Sequence, residues 1–60
     1  MNLTFETEQE TDGRWLAEVP EIAGVMAYGS TEMEAVANVE ALALKALSEQ
    51  LQYGDVHSPI

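Results

Sequence analysis

The chain has no cysteine, a single histidine and only two basic residues, Arg14 and Lys45, against 11 Asp and Glu. Without cysteine there is no disulfide framework, no thiolate metal site and no thiol nucleophile. One histidine makes no zinc site without an unusual set of carboxylates. The shortage of positive charge leaves a formal net charge of −9. Such a surface repels phosphate backbones and anionic headgroups, so direct nucleic-acid binding and membrane-surface binding are disfavoured. A basic protein partner is favoured, because opposite charges speed encounter. No run of 18 apolar residues and no basic leader is present, so the expectation is a cytoplasmic protein with no membrane span.

What is present is an ordinary globular composition, 47% hydrophobic, on 60 residues. One domain, 1–60, is the expectation. A chain of this size buries only about 60% of the surface it exposes when unfolded. Small domains offset that with disulfides, a metal or oligomerisation. Here oligomerisation or a partner is what remains.

Leu3-Thr4-Phe5-Glu6-Thr7-Glu8 alternates apolar with polar, the period of a half-buried strand. Asp12-Gly13 is a turn signal, and Trp15–Val19 reads as a second strand that Pro20 ends. Residues 21–24 form a loop, and Val25–Tyr28 a short third strand closed by Gly29. A two-residue hairpin loop would put Phe5 and Trp15 on opposite faces. A loop of odd length gathers Leu3, Phe5, Thr7, Trp15, Ala17 and Val19 on one face, and register follows the apolar face. The odd loop is therefore expected, with Gly13 at a positive-φ bulge position.

The opposite face then carries Thr4, Glu6, Glu8, Leu16 and Glu18, with Glu18 across from Glu6 or Glu8. Like charges opposite one another destabilise a strand pair. Two readings stand side by side. The face is a solvated surface that discourages edge-to-edge aggregation, or it docks a positively charged partner through Glu6, Glu8, Glu18 and Glu21, with Leu16 supplying apolar area.

Thr31-Glu32-Met33-Glu34 has capping-box spacing, with Thr31 and Glu34 bonding reciprocally. The run from Glu32 to about Tyr53 is rich in Ala, Leu and Glu, all good helix formers, and Gly54 is a natural stop. Residues 55–60 form a tail in which a short fourth edge strand has room. Ala35, Val36, Val39, Leu42, Ala43, Ala46 and Leu47 make a core stripe. Met33, Leu44 and Leu51 lie outside it, beside Ala37, as a second ridge. A helix of that length runs roughly 33 Å, whereas five- or six-residue strands span about 17–20 Å. The surplus apolar surface points to self-association into a dimer or higher oligomer.

The expected fold is thus α+β: a three-stranded antiparallel meander with one long helix on one face. Parts for catalysis are missing. His57 lies in a segment with no packing signal, whereas a catalytic base needs a locked position. The glycines each fall at a turn or cap, so none forms a phosphate cradle. Glu6, Glu8 and Glu18 are the candidates for a Mg²⁺-binding nuclease cluster, but no cation flanks them to hold a phosphate. No enzyme activity, cofactor or metal is expected. Trp15 reads as a core residue, partly exposed near the hairpin end.

The blocks Trp15-Leu16-Ala17-Glu18-Val19-Pro20-Glu21-Ile22-Ala23-Gly24 and Gly29-Ser30-Thr31 through Glu34-Ala35 resemble the HicB-like antitoxin family. Its pattern runs aromatic-x-Ala-x-x-Pro-x-(Leu/Ile)-x-Gly, then Gly-x-Thr-x-x-Glu-Ala at the start of a helix. The resemblance covers about residues 3–60. It implies a β-β-β-α-β unit, described as a partial RNase H-like fold, that commonly forms dimers or higher oligomers. It implies an antitoxin of a toxin–antitoxin system, which covers the active site of HicA, a small basic RNA-cleaving toxin. Many members carry a second, DNA-binding domain. This sequence reads as the antitoxin unit without that half. The competing reading is an orphan homo-oligomer, structural or small-ligand-binding, with no toxin.

Overall fold

A computed structural model describes residues 2–57, with side-chain surroundings as far as Leu51. Three strands, β1 (Glu6–Gln9), β2 (Trp15–Glu18) and β3 (Met26–Gly29), precede a single helix, α1 (Glu32–His57). The strands form an antiparallel sheet in the order β1-β2-β3, and α1 lies on one face, chiefly over β3 and β2 and little over β1.

The hairpin has the expected odd loop. Gln9 pairs with Trp15 and Thr7 with Ala17, leaving Thr11-Asp12-Gly13 as its tip. Glu10 O accepts from Gly13 N at 3.0 Å, and Glu10 N donates to Arg14 O at 2.7 Å. Gly13 has φ +94°, so a turn followed by a left-handed residue closes the loop. Asp12 Oδ1 accepts from Arg14 N at 3.1 Å and fixes the tip further.

The β2–β3 connection is a double turn that accounts for the Pro-x-Ile-x-Gly spacing. Ile22 N donates to Val19 O at 3.0 Å, with Pro20 at the second position, where its fixed φ is already suitable. Val25 N then donates to Ile22 O at 3.3 Å. Gly24 occupies the third position of that turn with φ +81°, a conformation that costs a residue bearing Cβ. Val19 N to Val25 O, at 3.1 Å, closes the loop at its base. Val25 is spent on this closure, so β3 begins at Met26, one residue later than the sequence pattern suggests.

The core is built from small residues: Ala17, Val19, Val25, Ala35, Val39 and Ala43, with Leu3, Trp15, Ile22, Ala27, Val36 and Ala46 packed around them. Small side chains bring helix and sheet close together. At Gly29 the end of β3 lies so near the start of α1 that a Cβ would meet the backbone of Ala35 and Glu34, 2.9 Å from Ala35 Cα. Two expected core residues stay exposed. Phe5 is on the inner side by alternation, but α1 does not reach over it, and Leu42 lies at the flank of a stripe centred on Ala43.

Helix entry follows a shifted capping box. Thr31 Oγ1 accepts from Glu34 N at 3.1 Å as expected. The return bond from Glu34 goes to Ser30, not Thr31: its Oε1 accepts from Ser30 N at 2.7 Å and Ser30 Oγ at 2.9 Å. At the other end the expected stop at Gly54 is overturned. The helix continues to His57, because an interior glycine costs only about 1 kcal/mol while the hydrogen-bond ladder runs on. Residues 55–57 are therefore helical and not part of a fourth edge strand, and residues 58–60 lie outside the described residues. No helix among the described residues is long and apolar enough to cross a membrane.

Candidate functional site

With α1 on one face, no element among the described residues covers the other face of the sheet. Its residues follow from the register. Glu6, Glu18 and Met26 form one cross-strand row, and Glu8, Leu16 and Tyr28 the next. Glu18 is thus directly opposite Glu6. Glu6, Glu8, Leu16 and Glu18, with Thr7 between the first two along β1, line an open depression of about 530 Å³. Leu16 and Glu18 are half-buried, and Glu6 and Glu8 are exposed. Leu16 is the one apolar residue of its lining, and the three carboxylates form its rim.

Among the described residues the rim carboxylates have no cation within ion-pair distance. The one ion pair there joins Arg14 Nε to Asp12 Oδ2 at 2.8 Å. Arg14 is on this face and makes no ion pair with the rim carboxylates; its guanidinium lies 4.5 Å from the centre of the Tyr28 ring. That geometry combines a charge-assisted hydrogen bond with a cation–π contact. The two bonds from Arg14, main chain first, pull the Asp12 carboxyl below its ordinary value.

Glu21 behaves differently from the other expected contact residues. Its Oε2 accepts from Thr4 Oγ1 at 2.7 Å and its Oε1 from Thr4 N at 3.0 Å. These bonds, the hydroxyl's first, depress its pKa. Glu21 ties the start of the chain to the β2–β3 loop, so its carboxylate, unlike those of Glu6, Glu8 and Glu18, is already hydrogen-bonded within the chain. The other four, Glu6, Glu8, Leu16 and Glu18, come together as expected. Met26 and Tyr28 complete the face and were not picked out from the sequence. The signal was there: alternation along the third strand puts both on one side, once that strand is registered against Leu16 and Glu18.

No three Asp, Glu or His side chains among the described residues converge to hold a metal ion. The carboxylates of this face are arrayed across a surface and do not point at one centre. His57 falls in the last turn of α1, and its side chain lies outside the described surroundings. Met33, Leu44 and Leu51, the expected self-association residues, are all exposed on α1, in the other layer of the molecule. Comparison of the chain with protein-family models, curated proteins and solved structures finds no match.

Proposed function

We propose that this chain is a non-catalytic, antitoxin-like binding module that neutralises a small basic RNA-cleaving toxin by laying its uncovered sheet face over the toxin's active site. The carrying observation is the Glu6–Glu8–Glu18 rim around Leu16, which has no cation within ion-pair distance among the described residues. An RNA-cleaving site must be positively charged to hold phosphate, so it is complementary to this rim. The half-buried Leu16 and the exposed Met26 and Tyr28 supply apolar area of the kind that anchors an interface. The facing of Glu6 and Glu18 costs the free protein stability, and a basic group seated between them would relieve it. The resemblance to HicB-like antitoxins supports the same partner class, a HicA-like toxin, and a cytoplasmic site of action.

The test is calorimetric titration of a recombinant HicA-like toxin from the same source, with its own catalytic residue replaced so that it can be produced. The wild-type chain is expected to bind. Glu6→Lys/Glu8→Lys/Glu18→Lys is expected to lose binding while keeping its far-UV spectrum, whereas Glu21→Gln binds as wild type. Unchanged binding by the triple variant rejects this face. The second reading, a structural or small-ligand-binding homo-oligomer with no toxin, draws on the exposed ridge of Met33, Leu44 and Leu51. It is favoured if the wild-type chain binds no such toxin.

A further inference from the structure

Three hydrogen bonds fix which main-chain groups the sheet leaves unpaired. In an antiparallel ladder, facing residues alternate between pairs that exchange both N–H···O bonds and pairs that exchange none. The residues of an unbonded pair aim their main-chain groups away from the partner strand. Glu10 N donates to Arg14 O at 2.7 Å, so the register makes Glu8–Leu16 and Glu6–Glu18 the bonded pairs between β1 and β2. Val19 N donates to Val25 O at 3.1 Å, so Ala17–Ala27 and Trp15–Gly29 are the bonded pairs between β2 and β3. The outward groups are therefore those of Thr7 and Gln9 on β1, and of Met26 and Tyr28 on β3. Asn38 of α1 already occupies the β3 edge, where its Nδ2 donates to Tyr28 O at 2.9 Å. The β1 edge differs. Among the described residues nothing bonds the outward N–H and C=O of Thr7 or Gln9. Nor does β1 carry a proline or a bulge, two devices that close an edge to other strands.

We propose that the β1 edge takes an extended segment of a basic protein as an added strand, with Lys or Arg at alternate positions. Main-chain bonds to Thr7 and Gln9 supply affinity, and the alternating side chains supply specificity. What β1 offers on each face sets the pattern. On the outer face the added residues lie beside Glu6 and Glu8, which are exposed and have no cation within ion-pair distance among the described residues. On the inner face they lie beside Thr7, whose hydroxyl is already bonded to Glu32 Oε2 at 2.6 Å, and near Phe5, which α1 leaves 37% exposed. The outer positions therefore call for positive charge and the inner ones for apolar side chains. The same acids select against a second copy of this chain, because two β1 edges laid together set glutamates beside glutamates. The occupant is a strand on the edge, not a folded surface on the sheet face. The proposal thus stands whether or not that face meets a toxin.

The probe is a capped seven-residue peptide that alternates valine and lysine, titrated into the full chain. Calorimetry is expected to show binding, and NMR hydrogen exchange to slow at the Thr7 and Gln9 amides but not at that of Met26. A peptide of the same composition with its lysines consecutive is expected to bind more weakly. Gln9→Pro deletes an outward donor and no ladder bond, which an edge strand tolerates. It leaves Glu6, Glu8, Leu16 and Glu18 in place. This variant is expected to keep its far-UV spectrum and to lose about tenfold in affinity for the peptide, the scale of a lost hydrogen bond. Only one edge of the bound peptide faces β1. N-methylation is therefore expected to abolish binding at one alternate set of residues, valines or lysines, and to be tolerated at the other. That arm holds even if Gln9→Pro fails to fold. No binding of the alternating peptide overturns the proposal. So does equal binding of the two peptides, slowed exchange at Met26 in place of Thr7 and Gln9, full affinity in folded Gln9→Pro, or tolerance of both N-methylated sets.

Discussion

Gly29 and Gly24 are required for different reasons, and their substitutions separate those reasons. A Cβ at Gly29 runs into the main chain of Ala35 and Glu34 at the start of α1, which cannot move without shifting the helix. At Gly24 there is open space, and only the φ of +81° resists a side chain. Gly24→Ala is expected to cost about 1–2 kcal/mol. Gly29→Ala is expected to cost more, at or beyond the upper end of the roughly 1–3 kcal/mol typical of overpacking. Urea unfolding of the two variants checks the ranking. Glu21 provides a pH-dependent counterpart. Its folded pKa is depressed by Thr4, so its stabilisation is fully present above its ordinary value of 4.5 and is lost as pH falls through the lower folded value. Glu21→Gln is expected to flatten that part of the acid limb in thermal melts taken between neutral pH and acid. These roles were only partly legible in the sequence. The turn at Gly13 and the cap at Thr31 are local chemistry and could be read directly. The bond from Thr4 to Glu21 joins residues 17 apart and depends on where the double turn delivers the glutamate, so Glu21 looked like one more free acid.

At the scale of elements, the cross-strand register decides both the fold and the site. Requiring Phe5, Trp15 and Val19 to share a face was enough to select the odd loop but left Glu18 opposite either Glu6 or Glu8; closure of the loop between Glu10 and Arg14 sets it opposite Glu6. Glu18→Lys turns a like-charge pair into an opposite-charge one. It is expected to stabilise the free chain by about 0.2–1 kcal/mol, measured by thermal unfolding, while weakening its grip on a basic partner. Such opposite effects on stability and binding distinguish a functional acidic face from a merely solvated one. Helix length was less legible. Gly54 reads as a stop because glycine commonly follows a helix, but a stop also needs a left-handed turn, and the helical hydrogen bonds proved the stronger pattern. The position of α1 over β3 and β2 could not be read from periodicity alone, and it is what leaves Phe5 outside the core.

For the whole molecule, a net charge of −9 sits on a two-layer body with distinct surfaces: an acidic sheet face on one layer, and the exposed Met33, Leu44 and Leu51 on the other. The first is the surface proposed above to meet a basic partner. Attraction carried by rim carboxylates is screened by salt, with the Debye length near 30 Å at 0.01 M and about 10 Å at 0.1 M. The association rate with a basic toxin is therefore expected to fall steeply over that range in stopped-flow measurements, with a much smaller change in dissociation rate. The most direct measurement is RNA cleavage by a HicA-like toxin from the same source, titrated with the wild-type chain and with Glu6→Lys/Glu8→Lys/Glu18→Lys. The expected result is inhibition by the wild-type chain and inhibition weakened by at least about tenfold, or 1.4 kcal/mol, in the variant. Equal inhibition by the two chains, or none by the wild type, would contradict the assignment of the acidic sheet face as the toxin-binding surface.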